Sequence, residues 1–205
     1  MKTLLLNLFC FAFILNAAAH DPSKGKDKFF KPRKPQAPAI IIGLSGVVID
    51  DDGQRFKNLF NVKDSWNSVY APTRATIESP MFMGWSAELS VAYSRLKAGK
   101  IEDDFNHLRK KDVNLYAVDI NAKYYPIQAL SKLLSPYGIV GLGYTNRAFN
   151  ISANNGVMAN VGLGVSVWIF KGLGVNVQSM AKFAINANSS NYLMHSLGVV
   201  YRFRP

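Results

Sequence analysis

Eight times after residue 38 the chain alternates apolar side chains with polar or small ones, residue by residue, in segments of about ten residues. These segments are 40–49, 73–79, 85–95, 113–124, 137–147, 157–168, 173–186 and 192–203. A period of two sends successive side chains to opposite faces of a strand, so the pattern argues against helix throughout. In 85–95, Trp85, Ala87, Leu89, Val91 and Tyr93 oppose Ser86, Glu88, Ser90, Ala92 and Ser94. In 157–168, Val157, Ala159, Val161, Leu163, Val165 and Val167 oppose Asn160, Gly162, Gly164, Ser166 and Trp168. Strands of globular proteins are nearer five or six residues, whereas a tilted strand needs about ten to cross a bilayer.

Alternation alone does not say which face looks inward, because a soluble barrel of the lipocalin kind alternates with its apolar face inside. Composition of the two faces decides the sign. The polar face carries Gly141, Gly143, Gly162, Gly164, Ser86, Ser90 and Ser166, the small residues a narrow lumen needs. The other face is aliphatic, with Trp85, Tyr93, Tyr116, Tyr124, Tyr144 and Tyr201 towards segment ends, where interfacial aromatic belts form. The expected fold is all-β, an eight-stranded antiparallel up-and-down transmembrane β-barrel. Long polar connections at 51–71 and 97–111 alternate with tight breaks near Ser79-Pro80-Met81 and Lys171-Gly172, although the 126–135 turn is longer and the third and fourth outer loops shorter than such a barrel leads one to expect.

The N-terminus predicts export. Lys2, the apolar run Leu4 to Leu15 and Ala17-Ala18-Ala19 form a signal peptide over 1–19. Residues 20–38 read as a flexible basic Pro/Lys-rich tail with six basic and two acidic side chains, and 39–205 as the barrel domain. The one cysteine, Cys10, leaves with the signal, so neither a disulfide nor a cysteine metal site is expected. The net charge of +11 raises nucleic acid as a partner. Its basic residues are scattered over tail, loops and lumen instead of one face, which argues against that partner.

Candidate chemistry concentrates on the inner face. Arg74, Glu78, Glu88, Asp119, Lys123, Lys182 and Arg202 share it. Lone charges in a barrel interior are costly, so a paired network is expected, with Glu78 or Glu88 partnering Arg74, Lys123 or Lys182. Such a network either closes the lumen permanently or gates it. An enzyme is not expected. His20, His107 and His195 lie in the tail, a loop and the lipid-facing register, and His195 and Ser196 point to opposite faces. No cofactor and no metal are expected: Asp50, Asp51 and Asp52 open a loop without the further ligands of a calcium loop, leaving a weak surface cation site as the alternative. Phe56, Phe60, Trp66 and Tyr70 are expected to pack the first loop over the barrel mouth, with a partner-binding surface as the alternative. Loop 97–111 reads as a solvated hairpin.

Several motifs in order resemble a known family. They are Ile42-Gly43-Leu44-Ser45-Gly46 followed by Asp50-Asp51-Asp52-Gly53, Val62-Lys63-Asp64-Ser65-Trp66-Asn67, Pro136-Tyr137-Gly138 through Gly141-Leu142-Gly143-Tyr144, and His195 to Phe203. Over 39–203 the chain resembles the N-terminal barrel of OmpA-like proteins in the version found in Bacteroidota. Ser196, Gly198, Tyr201 and Phe203 further resemble the C-terminal assembly signal of bacterial outer-membrane barrels, although Arg204 and Pro205 follow. The resemblance implies a monomer in the bacterial outer membrane that supports it structurally, with outer-membrane lipid and the barrel-assembly machinery as partners. A small channel or transport component is the alternative, as is an outer-membrane subunit of a secretion or surface-adhesion assembly. The basic tail is expected to be a solvated linker, with electrostatic contact to a periplasmic or envelope partner as the alternative. The family's C-terminal peptidoglycan-binding domain is not expected here, since the sequence stops two residues after Phe203.

Overall fold

The computed structural model describes residues 39–51, 63, 65–82, 84–100, 109–126, 133–148, 154–185 and 190–203. The expected signal peptide and tail, Phe56, Phe60, His107, Arg204 and Pro205 lie outside the described residues.

Among the described residues nine strands form one sheet: β1 (Ile40–Asp50), β2 (Trp66–Ser68), β3 (Arg74–Pro80), β4 (Trp85–Leu96), β5 (Val113–Tyr124), β6 (Leu134–Ala148), β7 (Asn154–Trp168), β8 (Leu173–Ala184) and β9 (Tyr192–Phe203). From β3 to β9 each pairs antiparallel with the next. β9 pairs with β1 from Ile40 opposite Phe203 to Asp50 opposite Leu193, which closes the barrel. Eight staves result, because β2 and β3 are two pieces of one stave against β1. Ser45 faces Arg74 and Val48 faces Ser68, so three steps along β1 match six along its partner. Three residues are therefore looped out between β2 and β3, where Tyr70 is fully exposed and Pro72 has no amide hydrogen for a ladder.

The upper half of this stave is a departure from the sequence expectation, which treated 51–71 wholly as loop. Asn67 explains how the short piece holds. Its buried amide donates to the Ser65 carbonyl at 2.9 Å and accepts the Lys97 amide at 2.8 Å, so a side chain replaces ladder hydrogen bonds between β2 and β4. β6 also begins earlier than expected, at Leu134. Residues Leu134 to Tyr137 pair with β7, while among the described residues the ladder to β5 starts at Gly138, so Pro136 stands where a missing donor costs little.

The outward faces of these staves are aliphatic and exposed, including Leu89, Val91, Val118, Ile120, Leu142, Val161, Leu163, Val177 and Val199. The polar residues on the opposite register are buried inside. Following paired positions once around the wall from Ile41 leads through Glu78, Glu88, Asn121, Gly141, Asn160 and Lys182 to Tyr192, whose neighbour Leu193 pairs with Asp50. One circuit thus climbs about ten residues along β1, the stagger that tilts the strands of a narrow barrel. The interior is not polar throughout, as the sequence pattern implied. Val47, Ile49, Leu96, Val113, Leu115, Met158, Met180, Tyr192 and Met194 form a buried apolar cluster. Ile49, Leu96, Val113 and Tyr192 lie at strand ends away from Ile40 and Phe203, so the apolar layer fills the lumen on the long-loop side.

Candidate functional site

Beside this apolar layer the lumen holds a hydrogen-bonded charge network. Glu78 on β3 and Glu88 on β4 are direct cross-strand neighbours, a like-charge pairing that is destabilising unless a cation intervenes. Lys123 on β5 supplies it, with its ammonium 2.8 Å from Glu78 Oε2 and 2.5 Å from Glu88 Oε2. Arg74 donates to Glu88 Oε1 at 2.8 Å, and its other nitrogen donates to Gln178 and Ser196 at 3.3 and 3.4 Å. Asp119 forms a second pair with Lys182 and accepts from Ser90 at 3.4 Å.

Two amides join the pairs. Asn121 donates to Glu88 at 3.1 Å, and Asn160 donates to Asn121 at 3.0 Å and to Asp119 at 3.1 Å. Three cations and three carboxylates, each 5% exposed or less, make a neutral set. Neutrality matters because a charge removed from water is tolerated only when paired and hydrogen-bonded. Tyrosines complete the filling: Tyr137 lies under the Lys123 ammonium, 4.6 Å from the ring centre, and its hydroxyl accepts from Asn176 at 2.6 Å and donates to Gln178 at 3.2 Å. Just beyond β5, Tyr125 donates to Glu78 at 2.7 Å. Burial, followed by the Glu78 carboxylate, raises its phenol well above the ordinary value, so it remains a donor.

Six of the seven inner-face charges named from the sequence meet in this network. The seventh, Arg202, has its guanidinium over the Trp168 ring at 3.8 Å, near the barrel end that carries Ile40 and Phe203. The strand tilt is the reason, since inward-facing residues near the ends of different strands lie at different heights. Asn121, Asn160, Gln178 and Tyr137 were missed as partners. Asn121, Asn160 and Gln178 all carried the inner-face register, the one signal available.

The terminal-strand residues also have local roles. Ser196 accepts from Arg74, whereas Tyr201 and Phe203 form an outward edge-to-face pair 4.7 Å apart. Gly198 lies where a methyl group would overlap the Leu44 carbonyl and the Ser45 backbone, so the closing seam demands glycine. His195 points outward, with Nδ1 2.9 Å from Ser179 Oγ and its ring beside Trp66, while Ser196 points inward.

A second charged cluster, not foreseen, lies at the long-loop end. Asp51 is buried with Arg109 at 3.5 Å, Arg147 at 3.3 Å and Ser190 at 3.4 Å. Asp50 accepts from Ser65 at 2.5 Å. These contacts engage Asp50 and Asp51, whereas Asp52 lies outside the described residues; no group of three or more candidate metal ligands occurs among the described residues. Arg109 is 4% exposed, so the hairpin expected to be solvated sends at least this side chain inside.

Comparison with solved structures agrees with this architecture. The chain is similar to the outer-membrane protein OprG of Pseudomonas aeruginosa at 15% identity and a TM-score of 0.52, covering 83% of this chain and 97% of that one. The fold is an outer-membrane β-barrel. It is also similar to the N-terminal barrel of OprF from the same organism, at 16% identity and a TM-score of 0.49 over 82% of this chain and 98% of that one. Ail of Yersinia pestis, at 14% identity, gives 0.48 over 82% and 99%. No protein-family model and no curated protein sequence matches the chain.

Proposed function

We propose that the protein is a structural barrel of the bacterial outer membrane, of OmpA-like kind, whose lumen is closed by its own side chains. The observation that carries this reading is the neutral six-charge network next to the apolar layer of Val47, Ile49, Leu115, Met158, Met180 and Met194. A water-filled pore needs a continuous polar lining, and the apolar layer interrupts it. The outward aliphatic wall supports residence in lipid. In this reading Ser196, Gly198, Tyr201 and Phe203 are the segment read by the barrel-assembly machinery.

Reconstitution in planar bilayers tests the closed lumen. The expected result is an absence of stepwise conductance for the purified protein. Steady open-channel steps from the unaltered protein would refute closure and favour a small transport component.

A further inference from the structure

Hairpin turns that face water are normally polar, yet at the barrel end that carries Ile40 and Phe203 the described residues of the three turns include large exposed apolar side chains. Met81 and Phe82 are 60% and 64% exposed, Leu133 and Leu134 are 51% and 44%, and Ile169 and Phe170 are 55% and 70%. The described residues of the opposite end present charged Arg95, Lys97, Lys110, Lys111 and Asp112 to solvent, alongside Ile185. A patch of this kind on three separate turns calls for a covering partner.

We propose that these three turns form a collar immersed in the headgroup and upper acyl region of the inner leaflet, so that phospholipid is their partner. The inference rests on the reading of the outer wall as lipid-facing. Continuity with that wall identifies the occupant. The outward pair Trp85 and Tyr124, with rings 4.9 Å apart, and the pair Tyr201 and Phe203 mark the interfacial level at this end. The turns follow within one hydrogen-bonded step. Met81 N–H donates to the Trp85 carbonyl at 2.8 Å, Trp85 N–H to Phe82 at 2.9 Å, and Arg202 N–H to Gly172 at 2.7 Å. Gly84 and Gly172, at φ of 85° and 138°, keep two of the turns tight, so their tips stay near the girdle. Interfacial segments bury apolar faces about 5–10 Å into the headgroup boundary, which matches the two tight turns at Gly84 and Gly172. Lys171, exposed beside Phe170, can direct its ammonium to lipid phosphate while its stem and the phenyl ring stay in the apolar layer.

Spin labelling tests the collar in a suitable background, because Cys10 is the one cysteine and lies in the expected signal peptide. Phe82→Cys, Leu133→Cys and Phe170→Cys are labelled with a nitroxide in the full barrel, refolded into phosphatidylcholine/phosphatidylglycerol vesicles and checked by heat-modifiable migration. Collision rates with oxygen, enriched in lipid, and with a water-soluble nickel chelate are then compared. Leu163→Cys on the wall and Lys110→Cys at the opposite end are controls. The expected oxygen-to-nickel ratios at 82, 133 and 170 approach that at 163 and exceed that at 110 several-fold. Ratios at the turns equal to that at 110, with 163 still lipid-like, would overturn the collar alone and point to a protein partner or a second copy. A water-like ratio at 163 as well would refute the lipid-facing wall.

Discussion

Glu88→Gln is the substitution that most directly questions the buried network, because it removes one charge with almost no change of shape. Glu88 holds Arg74 at 2.8 Å and Lys123 at 2.5 Å and accepts from Asn121 at 3.1 Å. After the change Lys123 keeps Glu78, but Arg74 retains Gln178 and Ser196, neither of which carries charge. The six-charge set then has one cation in excess inside the barrel. Breaking a buried pair from one side costs about 3–5 kcal/mol, since the remaining ion is left uncompensated. With an m-value of roughly 2 kcal/mol/M in urea, the unfolding midpoint is expected to fall by about 1.5–2.5 M. The assay is urea unfolding from lipid vesicles, followed by heat-modifiable gel migration and tryptophan emission. Adding Arg74→Met restores neutrality and should recover most of the loss, giving a coupling of about 2 kcal/mol or more in the double-mutant cycle. Two single variants each costing under about 1 kcal/mol and adding independently would refute the reasoning, because a hydrated lumen screens such pairs.

Other positions give separate tests. Gly143→Ala would bring a methyl group into Asp119 Oδ1, so a loss of about 1–3 kcal/mol is expected in the same urea assay, and no loss would contradict the tight Asp119–Lys182 packing. Gly198→Ala should lower the yield of the heat-modifiable folded form by obstructing the β1–β9 seam; normal yield would show that the seam relaxes. Tyr125→Phe removes a donor to Glu78 and should cost about 1.5–3 kcal/mol, the range for hydrogen bonds to charged groups, checked by urea midpoint. Asp51→Asn leaves Arg109 and Arg147 without their shared carboxylate and should speed proteolysis at the long-loop end while the wall remains folded; unchanged cleavage rates would count against that cluster.

Much of the wall was legible because strand alternation is a local property. Trp85 to Ser94 and Val157 to Trp168 show the face of each residue without reference to any neighbour. Less legible was the stave made from β2 and β3, because Trp66–Ser68 is too short to display a period and is held partly by the Asn67 side chain. The apolar layer was also hidden: Met158, Met180 and Met194 occupy inner-face positions, but a period of two says only that they point inward, not that they meet.

By itself, then, the sequence determined the strand class, the bilayer-crossing length and the sign of the two faces, since each depends on residues one and two apart. Tertiary structure alone decided the partners. Glu78, Glu88, Asn121, Asn160 and Lys182 fall on one row of paired positions that climbs with the tilt, yet Lys123 meets the glutamates, Lys182 meets Asp119, and Arg202 lies apart on Trp168. Strand stagger and closure between β1 and β9 fix those distances across the lumen. Neither is set until residues far apart in the chain have paired.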